Sequence, residues 1–222
     1  MTRDGDDPGT TALVLAGRSI GVQAALAQAH AYPKVTVARY DLPGPGPVDA
    51  ITADDIARTH KVRSRISHAQ RDWFVRTALG APWAAVPADA RLVDADPNIS
   101  GDLYDGAEAL YEYFRTAAPR QVGVAKISKV LHLKRPGLFP ILDAKVMAVY
   151  RSQARAAATR YPHRDRRAMF WATIRDDVCA NLDSGALPLF RRRLAQSETE
   201  HVRRIAALTD VRLLDLLTWA IA

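Results

Sequence analysis

From Ile51 to the last residues, apolar side chains recur every three to four positions, and the prolines fall between these runs rather than inside them. Ala107, Leu110 and Phe114, with Tyr111 beside them, make one stripe ahead of Pro119. Trp171, Ile174, Val178 and Leu182 make a second, and Leu213, Leu214, Leu217 and Ile221 a third behind Asp210, read as its cap. Such spacing puts the residues on one face only if the chain is helical, and proline breaks a helix interior. Two helix starts are marked as well, because Thr52 with Asp55 and Ser67 with Gln70 have the capping-box spacing. The expectation is a mainly α, multi-helix globular domain.

The first fifty residues read differently. Residues 1–10 are polar and acidic, a disordered tail. Residues 11–31 are rich in alanine and leucine and read as a helix that Gly17 and Gly21 weaken. "KVTVARYDL", 34–42, alternates β-branched with other residues and is the one short extended segment expected near the N-terminus. "PGPGPVD", 43–49, reads as a stiff linker. Residues 11–50 therefore form an N-terminal helix, strand-like segment and linker, and residues 51–222 the helical domain.

Composition narrows the function classes. With 48% hydrophobic residues the chain can bury a real core. Lys and Arg number 31 against 24 Asp and Glu, a net +7 that favours an anionic partner. Arginine and alanine dominate as they do in GC-rich coding sequences, so the charge counts for about half its face value as evidence for nucleic acid. Cys179 stands alone, which rules out an intrachain disulfide, a Cys-based zinc site and an iron–sulfur cluster; it reads as a small buried thiol. The polar start is no secretory signal, and Thr11–Tyr32 carries Arg18 and other polar residues, so the expectation is a cytoplasmic protein without membrane contact. No Walker loop, nucleotide glycine fingerprint, GxSxG or HExxH occurs, and no cofactor or metal is expected. "DADPNISGDLYD", 94–105, spaces its oxygens like a calcium loop but has Ile99 at the glycine position, so it reads as a polar loop capping the next helix.

Chemistry concentrates in "VGVAKISKVLHLKRPGLFPILDAKV", 122–146. Val124, Ile127, Val130 and Leu131 share a helix face, with Lys126 and Lys129 on another. Pro136, Gly137 and Pro140 form a loop, after which Asp143 heads a second apolar stretch as an N-cap, a functional carboxylate, or both. Lys126, Lys129, Lys134 and Arg135 read as phosphate contacts, and Lys126 also as a candidate nucleophile. His132 reads as a satisfied, partly buried residue. Arg151 and Arg155 open the basic run 151–167, either a nucleic-acid backbone track or a solvated face.

A helix, a tight turn around "VGV", a second helix, a Gly/Pro loop and an aspartate resemble the helix-hairpin-helix, Gly/Pro-Asp superfamily of base-excision DNA glycosylases over roughly residues 107–151. More narrowly, this segment with "RISHAQRDWF" and "LTDVRLLDLLTW" resembles an uncharacterised bacterial family from about Ile51 onward. The hairpin carries one glycine, Gly123, where the superfamily carries two. The resemblance implies duplex DNA as partner, with the amides of Val122, Gly123 and Val124 holding a phosphate. It implies Asp143 as the carboxylate facing the positive charge of a breaking N-glycosidic bond, and Lys126 as the amine that forms a Schiff base in bifunctional members. Trp73, Phe74, Tyr104 and Tyr111 are candidates for an aromatic base pocket. Two alternatives stand beside this reading: a non-catalytic nucleic-acid-binding module, and a helical protein-interaction domain.

Overall fold

The computed structural model describes residues 11–221; the tail expected over residues 1–10 lies outside them. Among the described residues there are eleven α-helices and one two-stranded sheet, and no helix is long and apolar enough to cross a membrane. The mainly α expectation holds, with the extended segment elsewhere.

Strands β1 (Ala12–Leu15) and β2 (Arg18–Gly21) pair antiparallel, Leu13 opposite Ile20 and Leu15 opposite Arg18. The strands thus lie inside the stretch read as helix, and α1 (Val22–Ala31) begins only after them. Ala16 and Gly17 both have positive φ, 50° and 76°, which makes the two-residue turn whose twist suits a hairpin. Leu13 and Leu15 alternate into the core. Asn181, on α8 (Phe170–Asp183), stands in for a third strand: its Oδ1 accepts Val14 N at 2.8 Å and its Nδ2 donates to Val14 O at 2.7 Å. Local composition favoured helix; a partner 167 residues away fixed strand.

"KVTVARYDL" is helical instead. A single turn, α2 (Lys34–Thr36), runs into π-helical turns over Val37–Asp41. Its buried side chains are Thr36, Val37 and Tyr40, one helix face, so the β-branched alternation misled. Nor is 43–49 a spacer. It lies against α3 (Ala53–Thr59) and α6 (Val124–Lys134), where Gly44 O accepts Arg58 Nη1 at 2.6 Å, Pro45 O accepts Lys134 Nζ at 2.7 Å and Val48 O accepts Arg135 Nη1 at 2.6 Å. Proline has a carbonyl but no N–H, so Pro45 offers Lys134 an acceptor and brings no donor of its own. Leu13, Leu15, Val22 and Val37 belong to the same core as the helices beyond residue 50.

Both capping boxes form, Thr52 with Asp55 on α3 and Ser67 with Gln70 on α4 (His68–Ala78). α5 (Leu103–Thr116) and α7 (Ala144–Arg160) flank α6 in sequence; α9 (Ala186–Ala195), α10 (Glu200–Ile205) and α11 (Asp210–Ile221) close the chain. The apolar stripes are core residues, with Leu110, Phe114, Val178, Leu213 and Leu217 all fully buried. At α11 the capping side chain is Thr209, whose Oγ1 accepts Arg212 N at 3.3 Å, while Asp210 pairs with Arg191 at 2.7 Å. α11 is buried on every side from Val211 to Thr218, which takes Arg212 and Asp215 inside with it. Cys179 is half-buried rather than buried. Arg164 occupies the loop over 94–105, donating to Pro97 O at 2.7 Å and pairing with Asp105, so a guanidinium stands where a cation would.

Candidate functional site

α5 and α6 are joined by a tight turn over residues 117–123. Gln121 takes the left-handed conformation, φ 71°, that glycine adopts without strain. Val122 N donates to Pro119 O at 3.0 Å, so this amide, expected to face a phosphate, is used inside the hairpin. Gly123 caps α6 with no side-chain acceptor. The amides of Gly123 and Val124 open the helix, where no carbonyl lies four residues back, and remain suited to an anion.

α6 is less open than its lysines suggest. From Ile127 to Lys134 every residue is buried, because α3, α5 and the 37–49 segment surround it. Lys134 is ion-paired with Asp55 and is 0% exposed. Arg135 is 1% exposed; it donates to Val86 O at 2.8 Å and to Asp49 Oδ1 at 2.7 Å, with its guanidinium over the Trp83 ring. Neither can reach a phosphate, which corrects the sequence reading for both. His132 is buried; burial, with Arg212 nearby, pushes its imidazole down to about 3, so the neutral ring donates Nδ1–H to Phe139 O at 2.7 Å. Lys126 donates from Nζ to Gln70 Oε1 at 2.8 Å, the oxygen that also accepts Ser67 N in the α4 capping box. It does not line the cavity that Asp143 lines.

That cavity, about 230 Å³, is bordered by α1, the 61–63 turn, α6, the head of α7 and α11. Lys129, Asp143, Arg212, Asp215, Tyr32 and Trp219 all line it. Asp143 is the N-cap of α7: its Oδ1 accepts Lys145 N and Val146 N, both at 3.0 Å, while Oδ2 has no hydrogen-bond partner among the described residues. The cap and the functional carboxylate are thus compatible in one side chain. Lys129 is 6% exposed, and its ammonium makes no hydrogen bond or ion pair among the described residues. Burial holds its pKa below the usual lysine value, against the opposing pull of Asp143 and Asp215. A desolvated amine facing carboxylates in a cavity is the environment that turns lysine into a nucleophile or proton carrier. The lysine that joins Asp143 is therefore Lys129, one helical turn beyond Lys126.

Behind this face Arg212 reaches three partners: Asp41 Oδ1 from Nε at 2.8 Å, Asp215 from Nη1, and Tyr32 Oη from Nη2 at 2.5 Å. Burial drives the Tyr32 hydroxyl well above its ordinary value, so it stays protonated. At the rim, Lys145 Nζ lies 4.6 Å from the Trp219 ring centroid and the Arg63 guanidinium 5.8 Å from it.

The basic run divides. Arg160 pairs with Asp176, Arg164 with Asp105, and Arg166 with Glu112 at 3.1 Å. Lys145, Arg151 and Arg155 are exposed along α7 and have no ion pair among the described residues. The aromatic candidates divide as well: Phe74 is core, while Tyr104 and Tyr111 line a second cavity of about 160 Å³ with Trp171 and Arg166, apart from Asp143. Sequence reasoning missed Tyr32, Arg212, Asp215 and Trp219. A signal existed in "VRLLDLLTW", where an Arg and an Asp three apart interrupt an apolar run and so share a helix face.

The chain belongs to DUF6308, a family of unknown function, whose family model matches residues 31–222. No curated protein and no solved structure matches it.

Proposed function

We propose that this DUF6308 member binds duplex DNA and releases a base by cleaving an N-glycosidic bond in the Lys129–Asp143 cavity. The observation that carries this reading is the position of Asp143. One of its oxygens fixes the head of α7, the other is free, and it lines a cavity with a desolvated lysine at the start of a helix carrying Lys145, Arg151 and Arg155. Breaking the bond puts positive charge on the sugar, which a fixed carboxylate stabilises. Water then adds its oxygen to the anomeric carbon, and the base leaves with a proton. Where Lys129 attacks instead, its neutral amine bonds to the anomeric carbon as the base leaves with a proton, and the bond from that carbon to the ring oxygen then opens, the oxygen taking a proton from the amine, to give the imine. The amides of Gly123 and Val124 and the cations of α7 would grip phosphates on either side.

The test is a panel of duplexes carrying different lesions, assayed for base release and for borohydride-trapped adduct. Asp143→Asn is expected to abolish release while leaving DNA affinity intact, and Lys129→Gln to abolish trapping where Lys126→Gln does not. Trapping lost in the Lys126 variant alone would overturn the assignment to Lys129. A second reading, a binding module without chemistry, is favoured by one observation: Lys126, where the superfamily resemblance puts the nucleophile, is tied to Gln70. It predicts salt-steep DNA binding and no base release from any duplex.

A further inference from the structure

Arg212 is one cation serving two buried acids. Its Nε donates to Asp41 and its Nη1 to Asp215, and both carboxylates are within a few per cent of complete burial. The other oxygen of each, Asp41 Oδ2 and Asp215 Oδ1, is buried without a hydrogen-bond partner. Two ionised acids on one guanidinium would leave an unbalanced negative charge away from water, and an oxygen facing no donor. A proton on one of them removes the unbalanced charge. Asp41 also feels Arg58, whereas Asp215 feels the like charge of Asp143. The groups that face Asp215 are Arg212 on its own helix, Asp41 and Tyr40 from the π-helical turns, Tyr32 after α1, Lys129 on α6, and Asp143 and Tyr150 on α7. Of the two acids only Asp215 lines the cavity with Asp143 and Lys129.

We propose that Asp215 is the proton donor of this cavity, delivering its proton to the leaving nitrogen as the N-glycosidic bond breaks. The assignment rests on the base-release reading above and adds the second carboxylate that the reaction needs. Bond electrons pass to the nitrogen, which takes the Asp215 proton. Water adds its oxygen to the anomeric carbon and gives its proton to Asp143. Exchange with solvent then returns Asp143 and Asp215 to their starting states. Two carboxylates in one cavity, one anchored by amides and one deprived of them, have the environments that separate a base from an acid. Burial supports the role, pushing the Asp215 carboxyl up to about 6.

The experiment compares a leaving base that needs a proton with one that does not. Duplexes carrying hypoxanthine or 7-methylguanine are cleaved in single turnover from pH 5 to 9; 7-methylguanine carries a positive charge in the nucleoside and departs neutral. For hypoxanthine the wild-type rate should fall as pH rises above the Asp215 midpoint. Asp215→Asn should remove that limb and slow release at pH 6 by about 100-fold, the range of one acid–base group, but slow 7-methylguanine by no more than about fivefold. Equal slowing of both bases, or an unchanged pH limb, would overturn the donor while leaving base release standing. A wild type that releases no base from any duplex of the lesion panel would refute the base-release reading and the donor with it. Carboxyl-carbon NMR of the wild type decides independently of any variant's folding: a carboxyl titrating near pH 6 that is absent from Asp215→Asn supports the proposal, and an Asp215 signal already ionised at pH 5 overturns it.

Discussion

Lys134→Met separates a buried structural cation from a phosphate contact. Lys134 is fully buried, ion-paired with Asp55, and donates to Pro45 O at 2.7 Å and Pro47 O at 3.3 Å. Methionine fills a similar volume but leaves Asp55, 3% exposed, without its counter-charge and two carbonyls without a donor. Removing one member of a buried pair costs about 3–5 kcal/mol. Asp55 keeps its bonds from Thr52 N at 2.8 Å and Thr52 Oγ1 at 2.9 Å, which places the expected loss at the lower end. With a urea m-value of about 3 kcal/mol/M for a chain of this size, a loss of about 3 kcal/mol moves the midpoint down by about 1 M. Adding Asp55→Asn, which keeps a capping oxygen but no charge, should restore part of that loss, with a coupling of about 2 kcal/mol in the double-mutant cycle. Circular dichroism through the urea transition measures all four corners. A midpoint shift below about 0.3 M, or no coupling, would show that the pair contributes nothing. A shallower salt dependence of DNA affinity in Lys134→Met would show that the lysine touches phosphate after all.

Arg151→Ala and Arg155→Ala should do the reverse, leaving the urea midpoint in place while each lowers the slope of log K against log salt by about 0.9 per lost phosphate contact; binding isotherms at several salt concentrations check this. Asp143→Ala should lower stability by about 1 kcal/mol through the lost cap, whereas Asp143→Asn should lie within a few tenths, so thermal unfolding separates the cap from the chemistry. His132 is neutral in the fold, its pKa held down to about 3 against an ordinary 6.5. Below pH 6.5 the unfolded chain takes a proton that the folded chain refuses, so the stability from His132 is present above pH 6.5 and lost as pH falls toward 3. The loss approaches about 1.4 kcal/mol per pH unit, and His132→Asn should flatten it in urea titrations between pH 7 and 4.

The sequence by itself determined the helical period, the prolines between helices, both capping boxes and Asp143 as the cap of α7, because each depends on residues within four positions of one another. It also drew attention to the hairpin and to a carboxylate after the Gly/Pro loop. It read as one helix over 11–31, which holds only for Val22–Ala31, and as a strand over 34–42; Asn181, pairing with the 12–21 hairpin, and the burial of Tyr40 decide otherwise. Tertiary structure alone decided which charges are structural. Lys134 and Arg135 look like Lys129 in the sequence, yet loop carbonyls hold both, with Asp55 paired to Lys134 and Asp49 to Arg135, while Lys129 meets Asp143 in a cavity. Arg212 and Asp215 could be read as a pair three residues apart, but the second acid on the same guanidinium, Asp41, comes from 171 residues away. Whether a charge is solvated, paired or held ready for chemistry depends on which long-range neighbours replace its water, and no local pattern encodes that.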